Sequence, residues 1–130
     1  PVTGATYLDF LGRSKMALNI SRRNDVDLYS SDRLAQLVGN GLLTFCPRVP
    51  GMDRLFGADE IIYFDNLADL LEKIVYYHNH DRECRVVAEK GWQRAHRCYS
   101  SERVCRYMLE LLFGSPFSSD YEWRHEVYRH

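Results

Sequence analysis

Little in this sequence points to disorder, secretion or a membrane. Four prolines and eight glycines in 130 residues are too few for a collagenous or low-complexity chain. No apolar run nears the ~20 residues that span a bilayer, and no stretch has the pattern of a secretory leader. An excess of one charge is also lacking: 17 Lys+Arg stand against 18 Asp+Glu, a net charge of -1. That balance argues against binding nucleic acid through bulk charge. The four cysteines, Cys46, Cys84, Cys98 and Cys105, form no CxxC pair and match no zinc spacing. They read as reduced thiols, three of them on helical stretches where Cys acts as a small core residue, and this suits a reducing, cytoplasmic setting. No metal is expected. Asp25-x-Asp27 lacks the rest of a calcium loop, and His78 and His80 fall at a helix end, where cations suit the dipole. No acidic cluster follows an early strand, which disfavours a response-regulator-like domain.

What is present is enough for one domain with its own core: 45% hydrophobic and 27% charged residues. Periodicity divides the chain into short apolar runs and longer amphipathic ones. Tyr7 to Lys15 reads as a helix with Leu8 and Leu11 inward, and Met16 to Ile20 as a strand. A polar loop covers 21–30. Ser31 or Asp32 caps a helix that buries Leu34, Leu37 and Val38, and Gly39-Asn40-Gly41 stops it. Leu42 to Cys46 is a continuous apolar run, as a strand buried on both faces should be. Pro47 to Gly57 reads as a turn-rich loop, and Glu60 to Phe64 as a third strand.

Three helices complete the pattern. One starts at Asp65 or Asn66, with Leu67, Leu70, Leu71, Ile74 and Val75 as its apolar set. Another runs from about Asp81 to Cys98, with Val87, Ala88, Gly91, Trp92 and Ala95 on one face. The last starts at Ser100 or Ser101 and is expected to bury Val104, Tyr107, Met108, Leu111 and Leu112. The tail, 114–130, is too aromatic for a free linker, so parts of it should pack on the domain. Strands separated by helices imply right-handed crossovers and an α/β domain with a parallel sheet. Three strands make half of a doubly wound sheet, which usually has five or six. The chain opens on Pro1, and it is expected to be a piece of a longer protein whose earlier part supplies the first half. The first strand then has a free edge, open also to a second copy of the chain.

Ser14-Lys15-Met16-Ala17-Leu18-Asn19, then Ser30-Ser31-Asp32-Arg33-Leu34-Ala35-Gln36-Leu37 and Gly41, resemble the nucleotide-sugar-binding half of GT-B glycosyltransferases. The spore-maturation-protein-like branch is the most similar. Glu60-Ile61-Ile62-Tyr63-Phe64, the leucine-rich Leu67 to Ile74, Ala88 to Arg94 and Arg103 continue the resemblance over about residues 7–113. It implies the C-terminal half of a Rossmann-like domain over 1–113, followed by the tail. It also implies a bacterial enzyme that moves a sugar from a nucleotide diphosphate to an acceptor, using the donor as substrate and no further cofactor. In two places the chain departs from the branch. Gln36 stands where the family usually has Glu, and Leu28 where a second acid is expected eight residues earlier.

Ligands of open α/β sheets sit outside the carboxyl ends of the strands. The helix start at Ser30 and Ser31 offers free N–H groups to a diphosphate, and Arg33 can grip phosphate oxygens in two places. Gln36 is the candidate partner of a ribose hydroxyl, weaker than a carboxylate. Asn19 and Ser21 are candidates at the first strand's tip. Gly51 allows close backbone approach in the loop after the second strand. No catalytic residue is assigned. Between Arg82 and Arg106 seven Lys/Arg face three Glu; this reads as a solvated face, with an acidic partner or anionic membrane surface as the other reading. The alternative function is a non-catalytic, degenerate glycosyltransferase-like interaction module.

Overall fold

A computed structural model describes residues 3–125. Its elements are α1 (Gly4–Arg13), β1 (Met16–Leu18), α2 (Asp32–Gly39), β2 (Leu43–Pro47), α3 (Met52–Leu55), β3 (Ile62–Phe64), α4 (Leu67–Asn79), α5 (Asp81–Tyr99) and α6 (Ser101–Phe113). The strands form one sheet in the order β1-β2-β3. Both pairings are parallel, with Ala17 opposite Thr44 and Cys46 opposite Tyr63. The fold is thus the expected α/β arrangement, a three-stranded parallel sheet flanked by helices.

Alternation along β2 explains the two layers of core. Side chains of a strand point to opposite faces in turn. Cys46, with Ile61 and Tyr63 around β3, meets Leu34 and Val38 of α2 and Met52 and Phe56 around α3; we call this the front. Leu43, Phe45 and Ile62 meet Leu70 of α4 and Cys84 and Ala88 of α5 on the back. Burying Phe45 fully is worth about 1.5–3 kcal/mol. A third cluster joins Leu11 of α1 to Leu37 and Leu42, with Ala17 packed against it.

α5 belongs to both faces. Cys84 and Ala88 join the back cluster, while Ala95 and Tyr99 pack against the front one. Between them Gly91 lies against the carbonyl of Glu60 and the side chain of Val38. The helix therefore passes beneath the amino edge of the sheet, and only a residue without a Cβ permits that approach.

Several expectations need correction. The 47–57 segment contains α3, nucleated after Gly51 adopts φ 74. β1 ends at Leu18 rather than Ile20. Leu8, Leu67, Leu71, Val75 and Trp92 are exposed. On α6 the error is larger: Met108, Leu111 and Leu112 are exposed, Leu112 by 75%. Its inward side instead carries Arg103, Tyr107 and Glu110, because the tail folds back onto that side. Tyr121, only 2% exposed, donates to Glu110 Oε2 at 2.9 Å and packs on Tyr107, Phe117 and Trp123. Arg103 reaches the carbonyl of Asp120 at 2.7 Å and lies over the Tyr121 ring. The tail does pack, as expected, though Tyr128 and His130 lie outside the described residues. All four cysteines are free. Among the described residues no helix is long and apolar enough to cross a membrane.

Candidate functional site

The strand tips end at Leu18, Pro47 and Phe64, and the start of α2 stands beside the first of them. Asn19 follows β1 directly. Its N–H extends the ladder to Phe45 O at 2.9 Å, and its side chain is fully buried. The amide donates to Cys46 Sγ at 3.5 Å and accepts from Ser31 Oγ at 3.3 Å. Asn19 is therefore spent on tying the β1 tip to β2 and to the start of α2. Burial pushes the Cys46 thiol up, against the pull of this hydrogen bond.

Ser31 occupies the N-cap position of α2, but its hydroxyl turns to Asn19 and caps no N–H of the helix. Leu34 N–H bonds back to the Ser31 carbonyl, while the amides of Asp32 and Arg33 find no partner among the described residues. Free N–H groups at a helix start favour an anion. Asp32 in the same turn opposes it, a residue that sequence reasoning weighed only as a cap. Arg33 is exposed and donates from Nη1 to the Ile20 carbonyl at 2.9 Å. That neutral contact aims the guanidinium along the β1–α2 loop, and no carboxylate pairs with it among the described residues.

Gln36 is exposed one turn further on; its backbone carbonyl accepts from Asn40. At 100° per residue, Arg33 and Gln36 share the flank of α2 next to Leu37, the side on which α1 packs. Ser30 does not join them there, whereas Ser21 directly follows Ile20, whose carbonyl Arg33 holds. Ser30 lines a largely apolar cavity of about 370 Å³ on the opposite flank, with Ala35, Leu55, Phe56, His96 and Tyr99. Two polar groups in its wall are already committed: His96 Nε2 to Gly39 O at 3.0 Å and Tyr99 Oη to Leu55 O at 2.9 Å. Ser21 is half-buried in the loop.

Gly51 does permit close approach, but to the protein itself. A Cβ there would collide with the Asp27 carboxylate and the Arg54 guanidinium, which form an ion pair across the two loops. Leu28 N–H bonds to Pro50 O at 2.9 Å, so the 21–30 loop is stitched to the loop after β2. Leu28 itself sits at φ 56, an uncommon conformation for a non-glycine residue. At the β2 and β3 tips, Arg48 and Asp65 neutralise each other at 3.0 Å. Among the candidates, then, the structure brings together Asn19, Ser31, Arg33 and Gln36 at the β1 tip, and separates Ser30 and Gly51 from them.

A three-stranded parallel sheet with helices in its crossovers is a Rossmann-like type of α/β domain. The comparison with family models narrows this. The glycosyl transferase-like family matches residues 1–110, and the chain belongs to that family. No curated protein and no solved structure matches it.

Proposed function

We propose that this chain supplies the donor-binding half-site of a GT-B glycosyltransferase of the spore-maturation-like type. The enzyme moves a sugar from a nucleotide diphosphate to an acceptor held elsewhere. The observation that carries this reading is Arg33. Its guanidinium is held by the Ile20 carbonyl, meets no carboxylate among the described residues, and lies beside the uncapped amides of α2. A diphosphate there would gain two N–H donors and a bidentate cation. Gln36, on the same flank, faces the ribose, and Ser31 supports the site through Asn19. Four free thiols fit work in a reducing compartment, the bacterial cytoplasm.

The test is nucleotide binding by the intact protein. UDP, GDP and ADP at ~100 times the dissociation constant should stabilise it by ~2.7 kcal/mol if one of them is the donor nucleotide. Replacing a charged hydrogen-bond partner costs ~1.5–3 kcal/mol, so Arg33→Ala should weaken that binding at least ~10-fold. Wild-type affinity in Arg33→Ala would overturn the reading. A second reading, a degenerate and non-catalytic module, draws on the neutral Gln36 and the buried Asn19 amide. It predicts no stabilisation by any nucleotide.

A further inference from the structure

The seven cations of the 82–106 stretch do not form one solvated face. Arg82 stands at the start of α5. Arg85 pairs with Asp81 at 2.8 Å and Lys90 with Asp59 at 2.9 Å. Arg94 is drawn into the fold, where it donates to the Leu55 carbonyl at 3.1 Å. The other three, Arg97, Arg103 and Arg106, meet at the junction of α5 and α6. There they line one cavity of about 250 Å³ with Ser100, Glu102 and Ser119. Ser100, at ψ 145, separates the two helices, so Arg97 comes from one helix and Arg103 and Arg106 from the next. Three residues apart, the latter two share a side of α6. The tail supplies a further wall through Ser119, next to the anchored Tyr121.

Carboxylates do not cancel this charge. Glu102 pairs with Arg106 at 2.7 Å, an exposed pair of the kind that is weak in water. Arg103 donates from Nη2 to the Asp120 carbonyl at 2.7 Å and to Glu122 at 3.2 Å. Arg97 is exposed and meets no carboxylate among the described residues. Arg103 Nε is different again. It is the one buried side-chain nitrogen or oxygen that has no hydrogen-bond partner among the described residues. A buried N–H left unmet costs free energy, and such an orphan calls for an acceptor. The helix start adds two more donors. Ser100 takes the Arg103 amide with its hydroxyl and the Val104 amide with its carbonyl. The amides of Ser101 and Glu102 find no partner among the described residues and point back towards Ser100.

We infer that this cleft binds the terminal phosphate of a phosphorylated ligand. The donor set selects that group. Guanidinium groups from two helices and the two amides at the start of α6 come from different directions, which suits a tetrahedral dianion. A planar carboxylate is satisfied by a single guanidinium fork. The dipole of α6 acts with the same sign. At about 250 Å³ the cavity is smaller than the ~300–1,000 Å³ of pockets that enclose a whole small molecule. It therefore takes the phosphate and leaves outside what the phosphate is attached to. The cleft shares no residue with the Arg33–Gln36 flank and stands whether or not a nucleotide binds there.

Titration of the intact protein with inorganic phosphate at constant ionic strength tests this, read by NMR at the Ser101 and Glu102 amides and at Arg103 Nε–H. These signals should shift and saturate together. Arg97→Gln and Arg106→Gln, both at exposed positions, should each weaken the binding at least ~10-fold, while Arg33→Ala leaves it unchanged. The absence of a saturable shift would overturn the inference, as would equal shifts with chloride or wild-type affinity in Arg97→Gln. Loss of the shifts in Arg33→Ala would also overturn it and assign them to the donor flank. Vesicles of phosphatidylcholine with and without phosphatidic acid identify the source of the phosphate. Sedimentation with the phosphatidic acid vesicles, reversed by Arg97→Gln, assigns a lipid headgroup; phosphate binding without sedimentation assigns a soluble phosphate ester, and either upholds the cleft. None of these readouts uses a nucleotide, so the cleft and the donor reading fail separately.

Discussion

Replacing Gly91 by alanine tests the passage of α5 beneath the sheet. An alanine in a helix interior is ordinarily favoured over glycine by about 0.8–1.0 kcal/mol. Here the added Cβ would run into the Glu60 carbonyl and press on Val38 Cγ1 at 3.2 Å. The first obstacle is backbone at the entrance to β3 and has no rotamer to change. Overpacking costs about 1–3 kcal/mol, occasionally more, and a backbone collision belongs at the upper end. The net expectation is a loss of about 2 kcal/mol, a fall in melting temperature of about 6–10 °C for a chain this size. Gly12→Ala is the control: it lies within α1, has nothing within 4 Å of a new Cβ, and should be neutral or stabilising. Calorimetry or urea unfolding reads both. A Gly91→Ala protein as stable as its parent would refute the close crossing and, with it, the two-faced role of α5.

Two further outcomes follow from the buried contacts. Asn19→Ala removes the hydrogen bonds that tie the β1 tip to Cys46 and to the half-buried Ser31; each such bond contributes about 0.5–1.5 kcal/mol, and a urea midpoint that does not move would contradict the assignment. Acid should release the tail. Burial works against the Glu122 carboxylate, but hydrogen bonds from Cys98 and its own backbone, and the Arg103 contacts, leave its pKa lowered. A carboxyl lowered on folding stabilises fully above its unfolded value, about 4.3, and the gain is lost as pH falls through the folded value. Trp123, stacked on Tyr99, should therefore change its fluorescence below about pH 4 in a Trp92→Phe background, and Glu122→Gln should reduce that acid transition, leaving the part owed to Glu110, whose carboxyl the Ser118 and Tyr121 hydrogen bonds hold below its usual range.

The candidate site was partly legible. Ser31 and Arg33 stand where a strand tip meets a helix start, and that much follows from the order of elements and the rule for open sheets. The fates of Asn19 and Gly51 were not legible. Asn19 is absorbed by Cys46, 27 residues away, and Ser31, 12 away. Gly51 is close-packed because Asp27 and Arg54 meet over it. No local pattern announces such pairs. His96 and Tyr99, which wall the cavity beside α2, carried no signal either, since a helix's own period does not say which loop it will meet.

By itself the sequence determined the order of the three strands and of every helix but α3, and with them a parallel sheet. These depend on periodicity, caps and breakers within a few residues of one another. Tertiary structure alone decided which apolar stripes are covered. Leu67, Leu71 and Val75 have the same spacing signature as Leu70 and Ile74, yet only the latter meet the sheet. α6 turns Met108 and Leu112 outward because Arg103 and Tyr107 hold the tail on its other side. Periodicity shows that a face is apolar; what it packs against is set by contacts between residues far apart in the chain, which the sequence does not display in any one window.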